Sequence, residues 1–197
     1  MSGPRFEIEW SAPAGLLRAI EPTHDEVANH ASALTAAYND PLNAPMLGHD
    51  AELSRDDVLE HYAKLRDQRA HAFLLFCDGA LAGDADLRGI AGGAAEFAFM
   101  IAMPSAQGKG LGTAFATMVH AFGFSRLALD AIYASIIPAN TASRRAFDKL
   151  GYSVDVSPAA RQYADPGDVT MSIGRDTFER VHGSKLASIR IREHSGR

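Results

Sequence analysis

Three glycines, Gly108, Gly110 and Gly112, alternate with larger residues in the segment QGKGLG, which follows an apolar run and precedes a helical pattern. Because glycine tolerates positive φ and has no Cβ, the N–H groups of such a segment can converge on one point. Converging N–H groups at the start of a helix form an anion site, which the helix dipole and the charge of Lys109 strengthen. The motif therefore predicts a site for a pyrophosphate, with a ligand-free strand-to-helix turn as the alternative.

Two well-known phosphate loops do not fit this segment. A P-loop requires a serine or threonine directly after its lysine, whereas Lys109 is followed by Gly110. A dinucleotide-binding fingerprint requires a further glycine three residues after its second one, and that position is Thr113. The segment therefore indicates a phosphate site of another kind.

A second motif lies about thirty residues downstream, in the segment NTASRRAFDKLGY that begins at Asn140. Asn140 is predicted to cap the N-terminus of a short helix, and Gly151 is predicted to end it. Ser143, Phe147 and Tyr152 complete the motif within and just after that helix. The order is thus strand, glycine loop, helix, strand and short helix, which predicts a right-handed crossover between two parallel strands.

The two motifs together, Q-x-x-G-x-G and N-x-x-S-x-x-x-F-x-x-x-G-Y, resemble those of the GNAT-type acetyl-CoA-dependent N-acetyltransferases. The resemblance is sharpest over residues 96–152 and points to the branch with ribosomal-protein N-terminal and spermidine N-acetyltransferases. It implies that the glycine loop holds the pyrophosphate of acetyl-CoA, as cosubstrate, and that the backbone of residues 101–103 pairs with the pantetheine arm. The implied cofactor-binding residues are Ile101, Ala102, Met103, Gln107, Gly108, Lys109, Gly110, Leu111, Gly112, Thr113, Asn140, Ser143 and Phe147.

The same resemblance implies direct acetyl transfer to a primary amine and assigns two catalytic roles. Glu96 lies on the strand before the loop, where relatives carry the carboxylate that acts as general base. Many relatives have a tyrosine as general acid at the position of Phe147, which cannot donate a proton. Ser143 is the alternative acid, and unaided departure of the thiolate is the competing route.

Two other functions stay open at this point. An acyl-CoA-binding sensor or degenerate acetyltransferase would keep the fold without turnover, and the missing tyrosine favours it. A phosphate- or nucleotide-binding module without CoA would bind ADP and CoA with similar affinity.

The segment between Asn39 and Glu60 predicts a cationic acceptor, because it contains six acidic residues and a single arginine, Arg55. A polyamine, an aminoglycoside-like amine or a basic peptide N-terminus would fit, and an ordinary charged helix surface is the alternative. The six acids are Asp40, Asp50, Glu52, Asp56, Asp57 and Glu60.

Four further residues are secondary candidates for the acceptor site. Asp84 and Asp86 share one face of a predicted strand, where we expect a solvated surface rather than a binding site. Arg161 and Tyr163 lie in a loop predicted to close the other side of the acceptor site.

Composition limits the remaining functions. The formal net charge of −5 disfavours nucleic acid, and the single cysteine, Cys77, allows no internal disulfide. The histidines show no metal-ligand spacing, and we expect no metal. No apolar run suits a membrane span and the first ten residues do not resemble a signal peptide, so a cytoplasmic protein without a membrane partner is expected. The oligomeric state is left open between a monomer and a homodimer.

The elements predict an α/β fold with a mixed sheet of about seven strands and about four helices. Residues 1–178 are predicted to form a single acetyltransferase domain. The basic segment 179–197 is interpreted as a tail or short helix.

Overall fold

The computed structural model describes residues 4–48, 51–102, 108 and 110–194. The strands are β1 (Arg5–Ala12), β2 (Gly15–Ile20), β3 (His71–Cys77), β4 (Ala80–Ala91), β5 (Ala94–Ile101), β6 (Ala131–Ile136), β7 (Ser153–Val154), β8 (Val169–Gly174) and β9 (Arg190–His194). The helices are α1 (His24–Tyr38), α2 (Ala44–Leu47), α3 (Arg55–Asp67), α4 (Leu111–Ser125), α5 (Thr141–Leu150) and α6 (Arg175–Leu186), with a 3-10 turn at Ala160–Tyr163.

One mixed sheet organises these elements, in the order β7-β8-β6-β5-β4-β3-β2-β1-β9. Helix α4 covers one face of it and packs Phe115 and Phe122 into the larger hydrophobic core. Helices α1 and α3 cover the other face, where Leu34 and Tyr62 pack against Leu74. The mixed α/β architecture and the parallel β5-α4-β6 unit predicted from the sequence are confirmed.

Local capping signals define where α1 and α3 begin. The Thr23 hydroxyl accepts from the backbone N–H of Glu26, whose carboxylate accepts from the N–H of Thr23, so α1 begins at the predicted capping box. Ser54 and Asp57 form the same reciprocal pair at the start of α3. These bonds satisfy N–H groups that a helix start otherwise leaves without partners.

One end of the sheet differs from the prediction, because β1 and β9 were not expected there, and the described residues form nine strands. Strand β1 was missed although Phe6, Ile8 and Trp10 alternate along it. After Phe178 the chain continues helix α6 and then adds β9, which pairs with β1. That strand was missed because its charged sequence RIREH carries one apolar residue, as suits an edge strand.

Strands β5 and β6 separate partway along their length. They pair in parallel only from Ala94 opposite Ala131 to Glu96 opposite Tyr133. Beyond that point β5 stays paired with β4 as far as Ile101, while β6 stays paired with β8. The sheet therefore has a wedge-shaped gap, which we call the β5–β6 gap, between residues 97–101 and residues 134–136. Within the described ranges, no helix has the length and apolar character needed to cross a membrane.

Candidate active site

A cavity of about 670 Å³ extends from the β5–β6 gap to the face covered by α1 and α3. At one end it meets the first turn of α5, where Asn140 and Ser143 line it. At the other end its wall is formed by the side chains of β4 and β5 that face α1 and α3. These wall residues are Asp84, Asp86, Arg88, Glu96, Ala98 and Met100.

Two of the three motif glycines have the backbone conformation that the sequence predicts. Gly108 has φ +72° and Gly110 has φ +77°, and a Cβ built on either would meet no heavy atom within 4 Å. Gly110 is the N-cap of α4, so the first N–H groups of that helix follow it directly. Open space, positive φ and a helix start together fit an anion that lies close to the backbone.

Gly112 is needed for close packing and not for a positive φ. A Cβ at this position would lie 3.1 Å from Cε2 of Phe99, so the glycine lets α4 approach β5 closely. Leu111 is buried in the core, and only its backbone is available to a ligand. Three predicted cofactor contacts, Met103, Gln107 and Lys109, lie outside the described residues.

The remaining predicted cofactor residues lie at the end of β5 and in the starts of two helices. The N–H of Ala102 donates to the carbonyl of Ala82 at 2.7 Å, which keeps the end of β5 attached to β4. Asn140 caps α5, because its Oδ1 accepts from the N–H of Ser143 at 3.0 Å. Its Nδ2 donates to the carbonyl of Met46 at 3.3 Å, which links α5 to α2. Thr113 lies in the first turn of α4.

Phe147 lies both in the core and on the cavity wall. Its ring is 3% exposed and makes edge contacts with Phe99 and Tyr152. The Tyr152 hydroxyl donates to Nε2 of the buried His120 at 2.5 Å. Burial lowers the pKa of His120 to about 3. Phe147 therefore offers an aromatic surface to a ligand and no proton.

Glu96, the predicted general base, is held by an arginine. Its two carboxylate oxygens accept from Arg88, Oε2 from Nε at 3.0 Å and Oε1 from Nη2 at 2.9 Å. A bidentate pair of this kind fixes the orientation of the carboxylate and occupies both of its oxygens. Residue spacing does not indicate this pair, because it forms across two strands.

Asp84 is buried, which corrects the expectation of a solvated face. It is 7% exposed, and its Oδ2 accepts hydrogen bonds from the hydroxyls of Tyr38 and Tyr62, the latter at 3.0 Å. Burial raises the pKa of Asp84 to about 6, although both tyrosine hydrogen bonds act in the opposite direction. The carboxylate thereby joins α1 and α3 to the sheet.

Asp86 is equally buried and has fewer partners. Its Oδ1 accepts no hydrogen bond from any described residue and lies 3.7 Å from Nε of Arg88. Burial raises the pKa of Asp86 to about 7, the Arg88 charge lowers it, and the charges of Asp84 and Glu96 raise it. The sequence signal for this burial was the small size of Gly83, beside the two acids, and of Ala85, between them. Small residues at these positions fit a strand that is covered on both faces.

A match to the family model for the acetyltransferase (GNAT) domain covers residues 16–153. The chain belongs to the GNAT family. Spermidine N(1)-acetyltransferase of Escherichia coli K12 is 30% identical over 132 residues, which are 66% of this chain and 66% of that enzyme. The chain thus aligns with just under two thirds of that relative's length.

Two solved structures show the same fold as this GNAT domain. Mycobacterium smegmatis RimJ in complex with CoA-disulfide has a TM-score of 0.72 at 18% identity and covers 95% of this chain and 99% of its own. Vibrio cholerae spermidine N-acetyltransferase in complex with CoA and spermine has a TM-score of 0.65 at 22% identity, with coverages of 82% and 96%.

Within this GNAT domain, the acids predicted to attract the acceptor are mostly elsewhere. Among the described acids of segment 39–60, Asp57 alone lines the cavity, where it also caps α3. Asp40 instead accepts from the N–H of Leu42, and Asp50 lies outside the described residues. Most of the described acids of this segment therefore lie away from the cavity, and the acidic wall is formed mainly by residues from other elements.

The loop before β8 meets the cavity through different residues from those expected. Tyr163 stacks on Tyr133 with ring centroids 4.6 Å apart, and its hydroxyl donates to the carbonyl of Gly89 at 3.3 Å. Arg161 is exposed and does not line the cavity. The cavity instead takes Asp165 and Asp168 from this loop. Sequence spacing could not reveal that these acids line the cavity, because their positions depend on how the loop packs on the sheet.

Proposed function

We propose that this protein transfers an acetyl group from acetyl-CoA directly to a primary amine on a cationic acceptor. The observation that carries the proposal is the β5–β6 gap, which opens at one end to the start of α5 and at the other to a cavity with acidic walls. Six carboxylates and one arginine are among the described residues that line it. The acids are Asp57, Asp84, Asp86, Glu96, Asp165 and Asp168.

In this proposal the donor enters from the glycine loop. The N–H groups around Gly108 and Gly110, with Gln107 and Lys109, hold the pyrophosphate at the start of α4. The pantetheine arm runs along the end of β5, residues 101–103, and past Asn140. The thioester then lies in the gap, where it can meet an amine from the acidic side. Leu111, Gly112 and Thr113 contribute backbone N–H groups and close packing to the same site.

The acceptor in this proposal carries more than one positive charge. A carboxylate wall concentrates cations by electrostatic attraction and orients them through charge-assisted hydrogen bonds. The class covers polyamines, aminoglycoside-like amines and basic peptide N-termini. The name of the Escherichia coli relative and the spermine bound to the Vibrio cholerae enzyme favour a polyamine. The proposal includes a cytoplasmic location and leaves a homodimer open.

Departure of the CoA thiolate needs no tyrosine in this proposal. The Phe147 ring borders the thioester, and Ser143 at the start of α5 binds the donor. The partial positive charge of the α5 N-terminus stabilises the departing sulfur. Ser143 is therefore proposed to contribute more to donor affinity than to proton transfer.

The proposal is tested by release of CoA and by mass detection of the acetylated amine. The protein is mixed with acetyl-CoA and spermidine, spermine, kanamycin, a basic peptide or benzylamine. We expect acetylated product from a polycation, with kcat/KM at least roughly tenfold above that for benzylamine, since charge-assisted bonds contribute about 1.5–3 kcal/mol each. Tight acetyl-CoA binding without product would instead support the sensor alternative.

A further inference from the structure

The three carboxylates on the β4–β5 wall differ in their partners, and this difference suggests separate roles. Glu96 is held in a bidentate pair by Arg88, and Asp84 accepts from two tyrosine hydroxyls. Asp86 lies between them on the same strand face, and its Oδ1 has no hydrogen-bond donor among the described residues. A buried carboxylate oxygen in that state can take a proton or a hydrogen bond from water or from a ligand.

We infer that Asp86, rather than Glu96, accepts the proton of the acceptor ammonium, and that Arg88 and Glu96 form a locked pair that positions Asp86. The inference rests on the proposed function, since it assigns the base for that reaction. It moves the proton acceptor from β5, where sequence resemblance put it, to β4.

The strand register places Asp86 level with the β5–β6 gap, whereas Glu96 lies where the gap begins. Glu96 is opposite Tyr133 in the last parallel pair before the strands separate. Asp86 is opposite Ala98, two residues further along β5 and beside the gap. Ala98 ends at Cβ, so no larger side chain from that position stands between Asp86 and the opening. An amine that approaches a thioester in the gap can therefore reach Asp86 over the small side chain of Ala98.

The charges around Asp86 come from every element packed on this face. Arg88 favours its ionised form, whereas Asp84 and Glu96 oppose it, and burial raises its pKa to about 7. A general base is most effective when its pKa lies near the working pH. The other titratable groups that line this part of the cavity or contact Asp84 are Tyr38 from α1, Asp57, His61 and Tyr62 from α3, and Asp165 and Asp168 from the loop before β8.

The proposed step conserves protons and electron pairs. The ammonium passes one proton to Asp86, and the freed nitrogen lone pair attacks the thioester carbonyl carbon. The C–N bond forms, and the C–S bond breaks as the tetrahedral intermediate collapses. The second proton lost by nitrogen ends on the CoA sulfur, and protonated Asp86 releases its proton to solvent.

Asp86→Asn is the first test, with Asp78→Asn as a matched control at an exposed turn outside the cavity. At pH 7.5 and saturating acceptor we expect Asp86→Asn to lower kcat by roughly a hundred- to ten-thousandfold, the span for loss of a general base. The deficit should shrink as pH rises toward the pKa of the amine, because free amine needs no base. That recovery occurs within one variant and so does not depend on how well it folds. A loss confined to KM and equal at all pH values would overturn the inference.

Glu96→Gln and Arg88→Met provide a second and independent test through the pH profile. Glu96→Gln removes a neighbouring negative charge and frees Arg88, so the acidic limb of kcat/KM should move to lower pH by on the order of one unit. Arg88→Met should move that limb to higher pH. A role limited to structure would lower activity without moving the limb. Loss of turnover in Glu96→Gln, with activity kept in Asp86→Asn, would restore Glu96 as the base and overturn the inference.

The proposed acetyl transfer and the role of Asp86 as base are refuted by different results. Wild-type protein that acetylates no amine would refute the proposed function and remove the reaction that Asp86 is inferred to serve. Wild-type turnover with an active Asp86→Asn variant would refute only the inference.

Discussion

Replacing Gly110 by aspartate is expected to weaken acetyl-CoA binding by on the order of a hundredfold or more, since a charged hydrogen bond contributes about 1.5–3 kcal/mol. The substitution puts a carboxylate at the N-cap of α4, where the backbone N–H groups are proposed to hold a pyrophosphate. The φ of +77° is itself a strain for a side chain, although aspartate tolerates it better than most residues. Titration calorimetry with acetyl-CoA measures the change.

Gly110→Asn separates charge from backbone strain. Asparagine and aspartate have similar size and similar tolerance of positive φ, so the two variants differ mainly in charge. We expect Gly110→Asn to keep acetyl-CoA affinity within about tenfold of wild type, consistent with a modest backbone strain of about 1–2 kcal/mol. Equal affinities for the aspartate and asparagine variants would show that no anion binds at this helix start.

Ser143→Ala serves as a comparison for the other end of the donor site. Loss of the Ser143 hydroxyl should raise KM for acetyl-CoA. We expect kcat to stay within about threefold of wild type, below the hundredfold or larger effect usual for loss of a general acid. A hundredfold fall in kcat at unchanged KM would make Ser143 the acid that Phe147 cannot be.

The second large effect concerns stability, and it comes from the burial of Asp86. Its pKa is raised from 3.8 to about 7, so the folded protein binds a proton that the unfolded chain releases. The stability that this proton brings is present in full below about pH 4 and is lost as pH rises through 7. We expect Asp86→Asn, which resembles the neutral acid, to be more stable than wild type at pH 8 by on the order of 4 kcal/mol, at 1.36 kcal/mol per unit.

Urea unfolding at pH 4 and pH 8 measures this difference. At pH 4 the two proteins should have nearly equal free energies of unfolding, because Asp86 is then neutral in the folded protein and the pH is close to its ordinary pKa of 3.8 in the unfolded chain. An equal difference at the two pH values would mean that the carboxylate is not destabilised by burial. A gain in stability together with a loss of turnover would fit a residue kept ionisable for function.

The local structure of the proposed donor site was predicted well because its signals are local. The positive φ of Gly110 and the cap made by Asn140 are each set by a few neighbouring residues, and both were found as expected. The capping boxes and the Asp78-Gly79 turn between β3 and β4 were predicted for the same reason. Short-range hydrogen bonds and conformational preferences leave clear patterns in a sequence.

The acceptor side was predicted poorly because its properties depend on tertiary contacts. Asp84 and Asp86 alternate along a strand as solvated residues would, and only the covering helices bury them. The pair of Arg88 with Glu96 depends on the register between β4 and β5, which is not readable from residue spacing. Similarly, β9 has little apolar pattern and is defined by its pairing with β1.

A crystal structure of the complex with CoA would show whether the β5–β6 gap joins the donor site to the acidic cavity. The account predicts that the pyrophosphate lies at the start of α4 and that the pantetheine arm lies between residues 97–101 of β5 and residues 134–136 of β6. The thiol should point toward the cavity that Asp86 lines. CoA bound away from the gap, or a thiol directed away from the acidic wall, would contradict the account.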